Sequence, residues 1–304
     1  MPNTMSVQHF LRLDDLSSED LIAIVKRASQ LKKIQNEGLI FEPLKNRSLA
    51  MIFTKASTRT RISFEVGMRQ LGGGALNLNT NDTQLGRGEP IEDSARVISS
   101  MVDGIMIRTD SHAMLETFAQ HSSVPVINGL TDDFHPCQLL ADMQTLLEQR
   151  GNIQDAKIAW IGDGNNVCHS FMNAARLFDF QLHIATPKSY EPNKEIAQLN
   201  SSHCHFFSSA SEAVSNCDVV VTDTWASMGQ ESEKNERKEA FKNYCVDSDL
   251  FNRAHKDALF MHCLPAYRGM EVHADVINGP NSVVFEEAEN RLHAQKSLLE
   301  FLLA

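Results

Sequence analysis

Five consecutive polar residues, Ser57, Thr58, Arg59, Thr60 and Arg61, follow the apolar run Leu49-Ala50-Met51-Ile52-Phe53 and precede Phe64, Gly67, Met68 and Leu71. The run reads as a buried strand, and the three- and four-residue spacing after it as the inner face of a helix. The polar residues therefore fall where a strand feeds the first turn of a helix. Outward-facing backbone amides, hydroxyl donors and two guanidinium forks in one place make an anion site, and phosphate is its natural guest. The plainer reading is a Ser/Thr helix cap beside two surface arginines, which Ser57 alone would satisfy.

Four other constellations carry chemistry. His135-Pro136-Cys137-Gln138 puts an imidazole and an amide at a helix start, with Pro136 suited to an early helical position. A neutral His donating to a carbonyl oxygen is an electrophilic device. Asp223-Thr224-Trp225-Ala226-Ser227-Met228-Gly229 joins a carboxylate able to hold an ammonium group to a hydroxyl and a glycine hinge, with cap and turn chemistry as the plain alternative. In His262-Cys263-Leu264-Pro265, adjacent His and Cys on a strand point to opposite faces, which disfavours a Cys–His nucleophilic pair and favours a polar contact from the thiol. Gly162-x-Gly164 begins like a dinucleotide fingerprint, but Val167 stands where its third glycine belongs, which opposes a nicotinamide-dependent dehydrogenase. Asn165 and Asn166 then either contribute amides to a polar substrate or cap the next helix.

The elements that must position these groups alternate along the chain. Apolar strand candidates fall at 49–53, 104–107, 124–127, 157–161, 182–185, 218–221, 259–261 and 283–285. Helical stretches separate them, which predicts parallel sheets covered on both faces. The first helix is expected over 15–33, capped by Ser17 or Ser18, and a helix over 137–150 is the expected bridge between two domains. Most strands hand off to a polar constellation at their C-terminal ends: Phe53 to the stretch 57–61, Ile107 to Arg108, Ile161 to Gly162, Val221 to Asp223, Met261 to His262. Open parallel sheets bind ligands at the carboxyl ends of their strands. Two α/β domains, each a doubly wound parallel sheet, with an active-site cleft between them, would gather these groups. The expected boundaries are 1–148, 149–285 and a C-terminal helix, 286–304, packing back on the first domain. The run 230–242 carries both signs and reads as a solvated helix after a loop.

With 28 Lys and Arg against 39 Asp and Glu, the net charge of −11 argues against nucleic acid or an anionic membrane as partner, so any bound anion needs a local basic pocket. No apolar stretch approaches the roughly 20 residues that span a bilayer, and residues 1–10 lack a secretory pattern. Six scattered cysteines without a Cys-x-x-Cys pair suit reduced thiols and a cytoplasmic location. His203-Cys204-His205 would place two His on one strand face, but no third ligand lies nearby in sequence, so no metal is expected.

Together with Gln84-Leu85-Gly86-Arg87-Gly88-Glu89-Pro90, Arg108 and Glu289-Asn290-Arg291, these motifs resemble the aspartate/ornithine carbamoyltransferase family. They run in family order from about residue 45 to the end. By this resemblance Ser-Thr-Arg-Thr-Arg and His-Pro-Cys-Gln specify carbamoyl phosphate, and Asp-x-Trp-x-Ser-Met-Gly and His-Cys-Leu-Pro specify ornithine over aspartate. Thr54, where many relatives carry Glu, is a departure outside the anion contacts.

The resemblance implies transfer of a carbamoyl group from carbamoyl phosphate to the side-chain amine of L-ornithine, giving L-citrulline and phosphate, a step of arginine biosynthesis, without metal or organic cofactor. Carried over residue by residue, it places Ser57, Thr58, Arg59, Thr60, Gln84, Arg108, His135, Pro136, Cys137, Gln138, Cys263, Leu264 and Arg291 at carbamoyl phosphate. Asn166, Asp223, Ser227 and Met228 fall at ornithine. Arg108, His135 and Cys263 are the expected catalytic residues, Cys263 either accepting a proton or only orienting the amine. A homotrimer, or a multiple of trimers, is implied, with the Gln84 loop completing a neighbour's site. The alternatives are a carbamoyltransferase for putrescine or an acylated ornithine, and a non-catalytic binding protein of the same fold.

Overall fold

In the computed structural model, residues 7–55, 57–79, 88–226 and 234–304 are described. The chain forms two compact units, Met1–Gln144 with Asn290–Ala304, and Thr145–Glu289.

The first unit is built on four parallel strands, β1 (Ser48–Phe53), β2 (Gly74–Asn79), β3 (Gly104–Arg108) and β4 (Val126–Leu130), in the order β2-β1-β3-β4. Helices α1 (Ser18–Asn36), α2 (Arg59–Gln70), α3 (Ile91–Ser99) and α4 (His112–His121) belong to the same unit, and α5 (Pro136–Arg150) leads out of it. Ser17 caps α1 by accepting from Asp20 N, which satisfies one of the amides a helix start leaves over. Ala50, Ile52, Ile105, Ile107, Leu115, Phe118 and Val126 form one apolar core, as expected of strands buried on both faces.

The second unit has five parallel strands, β5 (Lys157–Ile161), β6 (Gln181–Ala185), β7 (Cys204–Phe206), β8 (Val219–Thr222) and β9 (Leu259–Met261), in the order β7-β6-β5-β8-β9. Its helices are α6 (Asn166–Phe178), α7 (Lys194–Leu199), α8 (Ala210–Val214), α9 (Lys234–Ala240), α10 (Ser248–Phe251) and α11 (Ala274–Ile277). Ala159, Ile161, Val220 and Phe260 from the strands meet Val214, Val272 and Ile277 in its core.

α12 (Val284–Leu303) corrects one expectation. Residues 283–285 are not a strand. Phe260 N donates to Asn281 O at 2.9 Å and Val283 N to Phe260 O at 3.0 Å, an isolated parallel bridge of Ser282 beside β9, and the helix starts at Val284. Glu286 and Glu287 lie in its first turn, where the helix dipole favours acids. Within the first unit α12 is tied down firmly: Ser297 Oγ donates to Ile24 O at 2.8 Å, and Arg27 grips Glu300 through bonds of 2.8 and 2.9 Å.

Strands β2 and β7 are absent from the eight sequence candidates. Both are sheet edges, one short and one mostly exposed, so neither carries a continuous apolar run.

Candidate active site

In each sheet the strand order reverses direction at one place, between β1 and β3 in the first unit and between β5 and β8 in the second. Loops leaving such a switch point in opposite directions open a crevice at the strands' carboxyl ends. Phe53 pairs with Arg108 at the first switch point and Ile161 with Thr222 at the second. The chain therefore delivers the 57–61 stretch and Arg108 to one crevice, and Asn165 and Asp223 to the other.

In the first unit, Thr58 occupies the N-cap position of α2 and its side chain makes no capping bond. The plain cap reading of Ser57 thus fails, and the hydroxyls here are not consumed in closing the helix. Thr60 Oγ1 collects two guanidinium groups, accepting from Arg108 Nη1 at 3.2 Å and from Arg291 Nη2 at 3.4 Å. Arg291 is 3% exposed, and its fork is held by amides. Nη1 donates to Gln138 Oε1 at 2.6 Å, while Gln295, with its oxygen turned to the guanidinium, accepts from Nη2 at 2.9 Å and Nε at 3.2 Å.

His135 stands immediately before α5, which opens with Pro136. The preceding turn is fixed by Thr131 N donating to Phe134 O at 2.9 Å and Phe134 N donating to Thr131 Oγ1 at 3.2 Å. Burial pushes the His135 imidazole well below its ordinary range, and Arg291, Arg108 and Arg59 push it further the same way. His135 is therefore a neutral ring among three cations, able to donate a hydrogen bond without carrying charge. Cys137 has a different task. Its thiol donates to Asn128 O at 3.3 Å, and burial raises it to about 12, so it is a packing group and not a nucleophile.

In the second unit, Asn165 is the N-cap of α6 and accepts from Val167 N and Cys168 N, while its Nδ2 donates to Asp223 Oδ2 at 2.8 Å. The cap reading of this asparagine therefore holds, and its amide is in addition engaged with Asp223. Asn166 is the first residue of α6. Asp223 also accepts from Thr224 N at 2.7 Å and from Cys263 Sγ at 3.1 Å, both at Oδ1. Behind Cys263, His262 N donates to Glu287 Oε2 at 2.9 Å, and Leu264 N donates to His262 Nδ1 at 2.9 Å. The second bond makes Nδ1 the acceptor, so the proton sits on Nε2, which faces Glu271 Oε1 at 3.5 Å. Leu264 adopts a left-handed φ of 55°, a conformation that a bulky residue holds only when its surroundings enforce it.

The glycines at 162 and 164 serve the turn itself. Gly162 has φ 140°, and a Cβ on Gly164 would lie 2.2 Å from Pro192 N. Among the described residues, Asp223, His262 and Cys263 form the one trio of potential metal ligands whose atoms lie within 4.8 Å of one another. His203 and His205 instead face Asp179 at 3.3 Å and Gln181 at 2.7 Å.

The structure thus brings Ser57, Thr58, Arg59, Thr60, Arg108, His135, Pro136, Gln138 and Arg291 to the first unit's crevice, and Asn166, Asp223, Cys263 and Leu264 to the second's. Gln84, Ser227 and Met228 lie outside the described residues. Asp142, Gln295 and Glu287 were not anticipated. Asp142 follows Gln138, and Gln295 follows Arg291, by four residues, the spacing of neighbours on one helix face.

Comparison with known proteins also divides the chain in two near residue 150, but counts residues 290–302 with the second part, whereas they pack in the first unit. Residues 8–148 match the carbamoyl-P binding domain of the aspartate/ornithine carbamoyltransferases, and residues 154–302 match their Asp/Orn binding domain. An ornithine carbamoyltransferase of Hydrogenovibrio crunogenus is 59% identical over 300 residues, 99% of each chain. One from Nitrosococcus oceani is 60% identical over 299 residues, 98% of each chain. The solved ornithine carbamoyltransferase of Pyrococcus furiosus superposes with a TM-score of 0.94 at 46% identity, covering 98% of each chain.

Proposed function

The chain belongs to the aspartate/ornithine carbamoyltransferase family, and on that premise we propose that it transfers the carbamoyl group of carbamoyl phosphate to the side-chain amine of L-ornithine, giving L-citrulline and phosphate. The observation that carries this reading is the neutral His135 set among Arg59, Arg108 and Arg291 beside the amide of Gln138. A dianionic acyl phosphate needs that surplus of cations, and its carbonyl needs an uncharged donor that can follow the oxyanion as it develops.

Ser57, Thr58, Arg59 and Thr60 hold the phosphate at the start of α2, with Gln84 supplied by a neighbouring subunit. Pro136 and Cys137 shape the wall through their backbone, and Gln138 accepts from the carbamoyl NH2. Arg108 and His135 stabilise the tetrahedral oxyanion. In the second unit Asp223 holds ornithine with Asn166, Ser227 and Met228, and Cys263 and the Leu264 backbone bind the reacting groups; in the first unit Arg291 contacts the carbamoyl group. The amine must be neutral to attack, although in water its pKa lies near 10, like that of Lys. Desolvation and the nearby arginines favour the neutral form. The departing phosphate is a competent base for the proton released. None of these steps calls for a metal or an organic cofactor.

The reading extends to a homotrimer, or a multiple of trimers, in the cytoplasm, serving arginine biosynthesis. Exposed Ile62 on α2 and Leu76 on the edge strand β2 support a covered face there. No helix among the described residues is long and apolar enough to cross a membrane. Putrescine is disfavoured as acceptor because it has no α-carboxylate for the Ser227–Met228 stretch to hold.

The test is stoichiometry. Mixing the protein with carbamoyl phosphate and ornithine should release one equivalent each of citrulline and phosphate. Phosphate release without citrulline would refute the transfer, and binding of both ligands without either product would make the chain a binding protein.

A further inference from the structure

Gln138 and Asp142 lie one turn apart on α5, and each is 1% exposed. Gln138 Nε2 donates to Asp142 Oδ1 at 2.7 Å, while Gln138 Oε1 accepts from Arg291 Nη1 at 2.6 Å. A guanidinium offers only donors and an ionised carboxylate only acceptors, so these two partners allow a single orientation of the amide. Its NH2 is turned back into the helix, and its oxygen, with two lone pairs, is turned toward the crevice side from which Arg291 reaches it. A group seated among Thr60, Arg108 and Arg291 therefore meets an acceptor at Gln138 and not a donor.

We propose that Asp142 is a positioning residue that fixes the Gln138 amide and thereby makes this site select an acyl phosphate carrying an NH2 group over one carrying a methyl group at the same place. This rests on the reading that the first unit holds carbamoyl phosphate. Arg291 alone does not suffice as the anchor, because in that reading its fork is also needed by the substrate. Asp142 is not among the residues that reading assigns to the substrate, so its bond to Gln138 is the anchor left when Arg291 turns to the ligand. An NH2 group then finds the acceptor it needs. A methyl group leaves the buried Gln138 oxygen facing carbon, the arrangement by which sites built around a hydrogen bond reject analogues that lack it.

The experiment is a calorimetric titration of the whole chain with carbamoyl phosphate, acetyl phosphate and inorganic phosphate, in the parent, Asp142→Asn and Asp142→Leu. The parent should prefer carbamoyl over acetyl phosphate by about 10²-fold or more. Asp142→Asn, which keeps the size but lets either amide orientation pair, should reduce that preference about tenfold by weakening carbamoyl phosphate alone, the loss of one charge-assisted hydrogen bond. Asp142→Leu should reduce it further, and if that variant does not fold the Asn variant still decides. Equal weakening of all three ligands in Asp142→Asn, or an unchanged preference, would overturn the proposal while leaving the site reading intact. A parent that binds neither acyl phosphate would overturn both.

Discussion

The thiol of Cys263 donates to Oδ1 of Asp223 at 3.1 Å, so the two groups the sequence assigns to an amine are already engaged with each other. Asn165 holds the second carboxylate oxygen at 2.8 Å. Asp223 is thereby oriented from both sides before any ligand arrives. Asp223→Asn should raise the KM for ornithine by about 10- to 100-fold, the worth of one hydrogen bond to a charged group. The KM for carbamoyl phosphate should stay within about twofold. Steady-state kinetics with each substrate varied in turn measures both, and equal rises would remove Asp223 from the ornithine site.

Asn165 does two jobs, and substitutions separate them. Asn165→Ala loses the α6 cap, which costs about 1 kcal/mol, and also frees Asp223. Asn165→Asp keeps a cap acceptor but sets a second carboxylate against Asp223. Urea unfolding should find the Ala variant less stable, while ornithine KM should rise in both. An unchanged KM in the Asp variant would show that the bond to Asp223 is incidental.

His135 yields a rate prediction and a pH prediction. His135→Gln should lower kcat by about 10²–10³-fold with little change in either KM, as loss of an oxyanion donor does. The folded state holds this imidazole neutral well below pH 6.5, with burial the main cause and Arg291, Arg108 and Arg59 adding to it, whereas the unfolded chain takes up a proton near pH 6.5. Stability linked to His135 is therefore complete above about pH 6.5 and lost as pH falls from there toward the folded-state value, at about 1.4 kcal/mol per pH unit. Urea midpoints between pH 7 and 5 should fall more steeply in the parent than in His135→Gln. Parallel slopes would mean that the folded protein tolerates the imidazolium.

Arg291 is a fork and not merely a charge. It reaches Gln138 through Nη1, Thr60 through Nη2 and Gln295 through Nη2 and Nε, a fixed fork that a lysine ammonium cannot reproduce. Arg291→Lys should weaken carbamoyl phosphate by about tenfold or more, equivalent to at least one charged hydrogen bond. Retention of full affinity would show that only its charge matters.

The polar run at 57–61 was legible because an apolar strand before it and helical spacing after it fixed its place, and the switch-point topology explains why that place gathers Arg108 as well. Asp223 and His262 were legible for the same reason, each following a short buried strand. Edge strand β2 was not, since Leu76 and its exposed neighbours give no apolar run. Val283 and Val284 read as strand because they are apolar and follow a turn, and only the first of them makes a bond beside β9. Asp142 escaped notice because a buried acid four residues after a glutamine carries meaning only once α5 is known to bury that face. Gln84, Ser227 and Met228 came from family resemblance, and they lie outside the described residues.

The most direct measurement is kcat/KM for citrulline-type ureido product formation with ornithine, putrescine, N-acetylornithine and aspartate offered in parallel at saturating carbamoyl phosphate. The account predicts ornithine ahead of every rival by at least about 10²-fold, the discrimination expected when buried groups are matched to an α-amino acid. Comparable turnover of putrescine or N-acetylornithine would contradict the reading of the second unit, and no turnover with any acceptor would contradict catalysis itself.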